Sequence, residues 1–212
     1  MTSELALLGL VWLLYFVLHS LLASLWLKSR VHNRWPGLMP TYRLLFNSLS
    51  LLLLLPPLAL AWRLAGDPLW TYGEVGNGIR FALMGSAVAA FVWSLRYYDG
   101  REFIGLRQWS NGSREIEDQE RLRISPLHRF VRHPWYSLGL VLIWTQEMDP
   151  ARLLSALMIT GYLLLGSRLE ERKLLIYHGT RYRHYRQQVP GLIPHPNRYL
   201  TRTAAERLLK EE

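Results

Sequence analysis

Long apolar blocks alternate with short basic stretches along this chain, and that alternation limits the fold more than any other feature. Residues 5–27 carry one strongly polar side chain, His19. A transmembrane helix needs about 20 apolar residues, and the basic n-region of a signal peptide does not precede this block, so a first membrane helix is expected here. Residues 44–62 predict a second. Pro56 and Pro57 lie inside it, where it should kink or unwind; neighbouring helices can re-satisfy the freed carbonyls. Residues 78–97 predict a third. The stretch 99–132 is too long and too hydrophilic to lie in lipid. Residues 135–148 are apolar but number only 14, short of a bilayer core of about 30 Å at about 1.5 Å per residue. Asp149-Pro150 is a turn and helix-start signal, and 151–166 is a second short apolar block. The pair reads as a tight helical hairpin whose second arm runs on through 167–178 to a stop at Gly179. Residues 113–123 alternate in charge and predict a solvated helix or flap, and 201–212 a solvated tail.

The expected fold is therefore an all-α integral membrane protein of about five membrane helices, the last two a short hairpin, with a cofactor pocket on the cytoplasmic side. Three regions follow: 1–98, a three-helix membrane region; 99–198, which holds the hairpin and most reactive side chains; and 199–212, a polar tail.

The net charge of +9 suits nucleic acid, anionic lipid or an anionic ligand. Position decides among these. Of the 25 lysines and arginines, 22 fall in 28–43, 96–132 and 168–210, and only Arg63, Arg80 and Arg152 fall elsewhere. That pattern matches five insertions with the N-terminus outside and the C-terminus cytoplasmic, in a membrane such as a bacterial inner membrane. Topology is a sufficient account of the charge, and nucleic acid is a poor one; membrane lipid is the expected partner. With no cysteine, the chain has no disulfide, no thiolate nucleophile and no Cys-ligated metal.

Reactive side chains gather at both ends of the hairpin. Arg132-His133-Pro134-Trp135-Tyr136 precedes the first arm, and Arg168, Glu170 and Glu171 follow the second. A hairpin brings its ends together, so a His, a Tyr, two Arg and two Glu can converge at the membrane surface. No phosphate loop, dinucleotide fingerprint, nucleophile elbow or HExxH helix is present. The spacing of His133, Glu170 and Glu171 matches no metal motif, and no metal site is expected. The set suits a ligand both cationic and anionic. Arginine pairs with a carboxylate, glutamate with hydroxyls or an amine, and aromatic faces accept a sulfonium.

From Arg132 to Gly139, then Arg168-Leu169-Glu170-Glu171, then Gly179 to Tyr185, then Val189 to Pro194, the ordered pattern resembles the integral membrane methyltransferase superfamily. That group includes isoprenylcysteine carboxyl methyltransferases, phospholipid N-methyltransferases and bacterial methanethiol S-methyltransferases. The resemblance covers roughly residues 120–194. Farther upstream, His19 to Ser24 and Tyr42-Arg43 are similar to the thiol enzymes and to NnrU-like relatives.

The resemblance implies S-adenosyl-L-methionine as methyl donor, bound at the cytoplasmic face. Carried over residue by residue, it assigns donor binding to Leu122, Arg123, Ile124, His128, His133, Pro134, Tyr136 and Glu170. Arg168 is the counterpart of an acceptor-side arginine. Methyl transfer from a sulfonium is an in-line displacement in which alignment can supply about 7–11 kcal/mol. A thiol or amine acceptor must lose a proton, and His133 or Glu171 could take it. The expected function is methyl transfer to a small apolar acceptor, a thiol first. A lipid amine or a carboxylate such as isoprenylcysteine is the enzymatic alternative, and a non-catalytic NnrU-like accessory protein the alternative of another class. The sequence names no protein partner.

Overall fold

A computed structural model describes residues 2–113 and 122–210; most of the expected flap at 113–123 lies outside them. Among the described residues the chain is helical throughout, with no strand. The helices are α1 (Thr2–Ala23), α2 (Leu25–Arg34), α3 (Met39–Arg63), α4 (Glu74–Ser94), α5 (Gly100–Ile104), α6 (Leu106–Ser110), α7 (Pro134–Trp144), α8 (Pro150–Gln188) and α9 (Arg202–Lys210). Four of these stretches are long and apolar enough to cross a membrane, and α7 is a shorter apolar helix. The protein is an integral membrane protein of the all-α class.

Several boundaries differ from the sequence reading, each for a local reason. The block 5–27 is two helices, because Ser24 ends one and starts the next. Its hydroxyl donates to the Leu21 carbonyl at 2.6 Å and accepts from the Leu27 N–H at 3.2 Å. Helix α3 does not unwind at Pro56-Pro57 and runs through both prolines, with Pro57 buried. Helix α7 ends at Trp144, where Thr145 turns its hydroxyl back onto the Val141 carbonyl at 2.6 Å. Asp149 starts α8 as expected, accepting from the Ala151 and Arg152 N–H groups at 2.9 Å each. At Gly179 the backbone leaves helical space (φ 51, ψ −124), so the helix stops there as expected, and a second helical stretch follows to Gln188. The expected solvated tail is α9, whose Ala205 and Leu208 are buried.

The chain divides into two compact units. The first comprises the described parts of Met1–Thr71, Tyr98–Asp118 and Glu147–Ile159. Its centre is Trp12, buried with Leu8 and Phe16, with the indole N–H donating to the Ser155 hydroxyl at 2.9 Å. Between membrane helices such polar contacts and close packing replace the hydrophobic effect as the source of cohesion. Here too the Tyr42 hydroxyl of α3 donates to the Leu22 carbonyl of α1 at 2.7 Å.

The second unit comprises the described parts of Tyr72–Tyr97, Gln119–Gln146 and Thr160–Glu212. Helix α7 lies along α4; the Trp135 indole donates to the Ser94 hydroxyl at 2.8 Å and meets the Phe91 ring edge-on at 5.2 Å. An apolar core follows, built from Tyr182, Tyr185, Val189, Leu200, Ala205 and Leu208. It binds the end of α8, the return segment after it and α9 into one body.

Candidate functional site

The site lies wholly within the second unit. It begins at a turn that the sequence dictates. His133 takes the N-cap position of α7 and Pro134 the first helical position, where a proline's fixed φ suits the helix and its missing N–H is not needed. The His133 carbonyl accepts from the Ser137 N–H and hydroxyl, both at 3.0 Å. This turn is clamped by the segment after α8. The Arg132 N–H donates to the Pro190 carbonyl at 2.9 Å, the His133 N–H to Gly191 at 3.1 Å, and the Ser137 hydroxyl to Leu192 at 2.6 Å.

Arg132 is the tie among the parts. Its Nε and Nη2 donate to Glu171 Oε1 at 2.8 and 2.7 Å, and Nη1 donates to the Arg186 carbonyl at 3.1 Å and to the Val189 carbonyl. Both side chains of the Arg132–Glu171 pair are nearly buried. At Gly191 an added Cβ would lie 3.4 Å from Arg132 Nη2, so the return segment passes tightly against the guanidinium.

His133 stands between the two carboxylates. Its Nε2 is 3.1 Å from Glu171 Oε1, and its Nδ1 is 3.4 Å from Glu170 Oε2. Burial works against a charged imidazole, but the two glutamates outweigh it, and the His133 pKa is raised. Tyr136 donates its hydroxyl to Glu170 Oε2 at 3.3 Å, and its ring lies nearly parallel to the His133 ring at 5.4 Å. Glu170 and Glu171 are thus unlike. Glu171 is 12% exposed and meets a guanidinium and an imidazole through one oxygen; Glu170 is 49% exposed and engages through Oε2.

His133, Pro134, Tyr136, Glu170 and Glu171 therefore come together as the sequence led one to expect, with Arg132 at their centre. Other expected site residues lie outside these hydrogen bonds. Leu122 and Ile124 pack against the apolar core of the unit, and Arg123 is exposed. His128 accepts or donates at Nδ1 with the Ser125 hydroxyl at 2.7 Å, while its backbone carbonyl accepts from the Tyr185 hydroxyl at 2.6 Å. Burial, with the nearby His133 charge, pushes its imidazole down to about 4. Arg168 is exposed on α8 and takes no part in the carboxylate network of the described residues. The clamp made by the 189–192 carbonyls was not assigned from sequence. Its only signal is the Val189-Pro190-Gly191 run, whose glycine permits the close approach.

Chemically, the cluster offers a half-exposed carboxylate beside an aromatic face, backed by a buried, charge-balanced Arg–Glu–His network. Such a site suits a cationic ligand with amine or hydroxyl groups.

No protein-family model matches the chain, and no solved structure matches it. Relatives do. A methanethiol S-methyltransferase of Mycobacterium tuberculosis is 33% identical over 198 residues, covering 87% of this chain and 76% of the relative. Methanethiol S-methyltransferase 1 of Bradyrhizobium diazoefficiens is 32% identical over 203 residues, 91% of this chain and 68% of the relative. A methanethiol S-methyltransferase of Crocosphaera subtropica is 31% identical over 185 residues, 83% of this chain and 69% of the relative.

Proposed function

Because the chain belongs to the methanethiol S-methyltransferase family, we propose that it transfers a methyl group from S-adenosyl-L-methionine to a small apolar thiol. The observation that carries this reading is the convergence of His133, Tyr136, Glu170 and Glu171 at one end of α7, held there by Arg132. In this reading residues 99–198 perform the chemistry, 1–98 form the membrane region and 199–212 lie outside the reaction. The enzyme sits in the bacterial inner membrane with the site facing the cytoplasm.

The donor set fits the proposed methyl donor. Glu170 is exposed enough to accept from an ammonium or from ribose hydroxyls, and the Tyr136 ring offers a face to a sulfonium. When bound, that donor supplies an electrophilic methyl group. His133 and Pro134 shape the wall on which Tyr136 and Glu170 stand. Leu122, Arg123, Ile124 and His128 complete the donor side from the segment that leads into the turn. Arg168 lies at the acceptor side.

The thiol must lose its proton before its sulfur can attack. His133 touches both carboxylates, so it can take that proton and share it with Glu170 or Glu171 without charge leaving the cluster. Glu171 works mainly by holding the imidazole and the Arg132 turn in register. The bond from the acceptor sulfur to the methyl carbon forms as the bond from the donor sulfur breaks. The products are a neutral thioether and a neutral demethylated donor, with the proton left on the cluster.

Calorimetric titration of S-adenosyl-L-methionine and its demethylated product into detergent-purified protein tests this reading, with Glu170→Gln and Glu171→Gln alongside. Glu170→Gln is expected to lose binding at an unchanged melting temperature. Glu171→Gln is expected to lower the melting temperature as well, because it breaks the buried pair. Thiol turnover, followed as the methyl thioether, then identifies the acceptor. Folded wild-type protein that binds neither ligand would overturn the proposal.

A further inference from the structure

Helices α5 and α6 present a problem that the membrane solves. Each has five residues, far below the length at which a helix holds itself together in water. What holds them is α3. Asn47 Nδ2 donates to the Phe103 and Ile104 carbonyls at 3.2 and 2.9 Å, and Arg43 Nε donates to the Phe103 carbonyl at 3.2 Å. Between the two helices Gly105 has φ 104, and an added Cβ would lie 2.9 Å from both Arg43 Cβ and the Leu44 nitrogen. The backbone is pinned tightly, yet the pinned segment turns its large apolar side chains outward. Phe103 is 50%, Ile104 48% and Trp109 57% exposed.

We propose that α5 and α6 form an interfacial collar that lies in the headgroup layer of the membrane, with Phe103, Ile104 and Trp109 inserted at the boundary with the acyl chains and anionic phospholipid as the favoured neighbour. Depth supports this. Helix α3 has 25 residues, about 37 Å, so it exceeds a hydrocarbon core of about 30 Å. Arg43 and Asn47 stand about 6 and 12 Å from its start at about 1.5 Å per residue, which places the docked pair at the boundary between headgroups and hydrocarbon.

Charge supports the anionic headgroup. From Ser24 to Asn47 the same unit has Lys28, Arg30, Arg34 and Arg43 and no acid. The two acids of the collar are neutralised within it, Arg107 lying 2.8 Å from Asp99 Oδ2 and 3.7 Å from Glu102 Oε2. Arg30 stacks over the exposed Trp26 ring at 4.7 Å, an amphipathic pairing suited to an interface.

The chain has no cysteine, so single-cysteine spin labels report without background. Ile104→Cys, Trp109→Cys and Asn111→Cys are labelled in the full-length protein. Each is reconstituted in phosphatidylcholine vesicles with and without phosphatidylglycerol. Relaxation by molecular oxygen is compared with relaxation by a water-soluble nickel chelate. The expected result is oxygen several-fold more effective than nickel at 104 and 109, the reverse at 111, and deeper immersion when phosphatidylglycerol is present. Nickel access at 104 and 109 equal to that at 111 would overturn the collar. So would spin–spin broadening with access to neither reagent, which would mean a second copy covers this face. Equal depth in both membranes would overturn the preference for anionic lipid.

Discussion

His128 and His133 are five positions apart and respond to pH in opposite directions. The folded His128 holds a proton only near pH 4, against 6.5 ordinarily. Between those values the unfolded chain takes up a proton that the folded chain refuses, so stability present above 6.5 is lost as pH falls. His133 has a raised pKa, so its contribution is complete below the ordinary value and is lost as pH rises through the folded value. The acid side separates His128 from His133, and 6.5 to 5 is the useful window because most carboxylates still stay ionised there. His128 is expected to contribute a loss of about 1.5 kcal/mol over that window, the slope approaching about 1.36 kcal/mol per unit only below the unfolded pKa. His128→Gln should remove most of that slope. The measurement is the melting temperature in detergent at both pH values, and an equal slope in the variant would show that another group titrates.

At the scale of the element, glycine separates two kinds of constraint. Gly105 lacks room as well as an ordinary φ, whereas an added Cβ at Gly179 would meet nothing within 4 Å and only its backbone angles (φ 51, ψ −124) are unusual. Gly179→Ala should therefore cost about 1–3 kcal/mol, the usual cost of a sparsely populated backbone conformation, and leave the rest of the chain unchanged. Gly105→Ala should cost at least that and also push α5 and α6 off α3. Hydrogen–deuterium exchange checks this: faster exchange over 100–110 in Gly105→Ala and unchanged exchange there in Gly179→Ala. The contrast shows what the sequence made legible. Long apolar blocks and the ordered Arg132–Tyr136 and Glu170–Glu171 runs were readable, because hydropathy and side-chain type carry them. The Ser24 break, the α5–α6 pair and α9 were not. The first is a local cap, a hydroxyl on the previous turn's carbonyl inside an otherwise apolar block; the other two depend on tertiary partners, the amide of Asn47 and the Tyr182–Tyr185 core under Ala205 and Leu208. The 189–192 clamp left only the Val189-Pro190-Gly191 run as a signal, because its acceptors are backbone carbonyls.

For the whole molecule, the open point of topology is whether the α7–α8 hairpin crosses the bilayer. Helix α7 has 11 residues, about 16 Å at about 1.5 Å per residue, which is half a hydrocarbon core. Within the first unit, however, the Leu69 N–H of the loop after α3 donates to the Met148 carbonyl just before α8, at 2.7 Å. Helix α8, which starts beside that loop, is long and apolar enough to cross the membrane, so a full crossing is the expected topology of the hairpin. With α1, α3 and α4 each crossing once, chain order alone predicts the loop after α3 and the residues before α8 on one side, and the basic segments on the other. The positive-inside rule then puts Gly66 and Glu147 outside, with Asn111 and Asn197 in the cytoplasm. Single-cysteine variants at these four positions test the scheme. In intact cells a membrane-impermeant maleimide should label Gly66→Cys and Glu147→Cys. Asn111→Cys and Asn197→Cys should react only after the cells are opened. Labelling of Gly66→Cys without Glu147→Cys would mean that the hairpin turns back inside the bilayer. The inverted pattern would place the Arg132–His133–Glu171 site on the outer face, where a cytoplasmic methyl donor could not reach it.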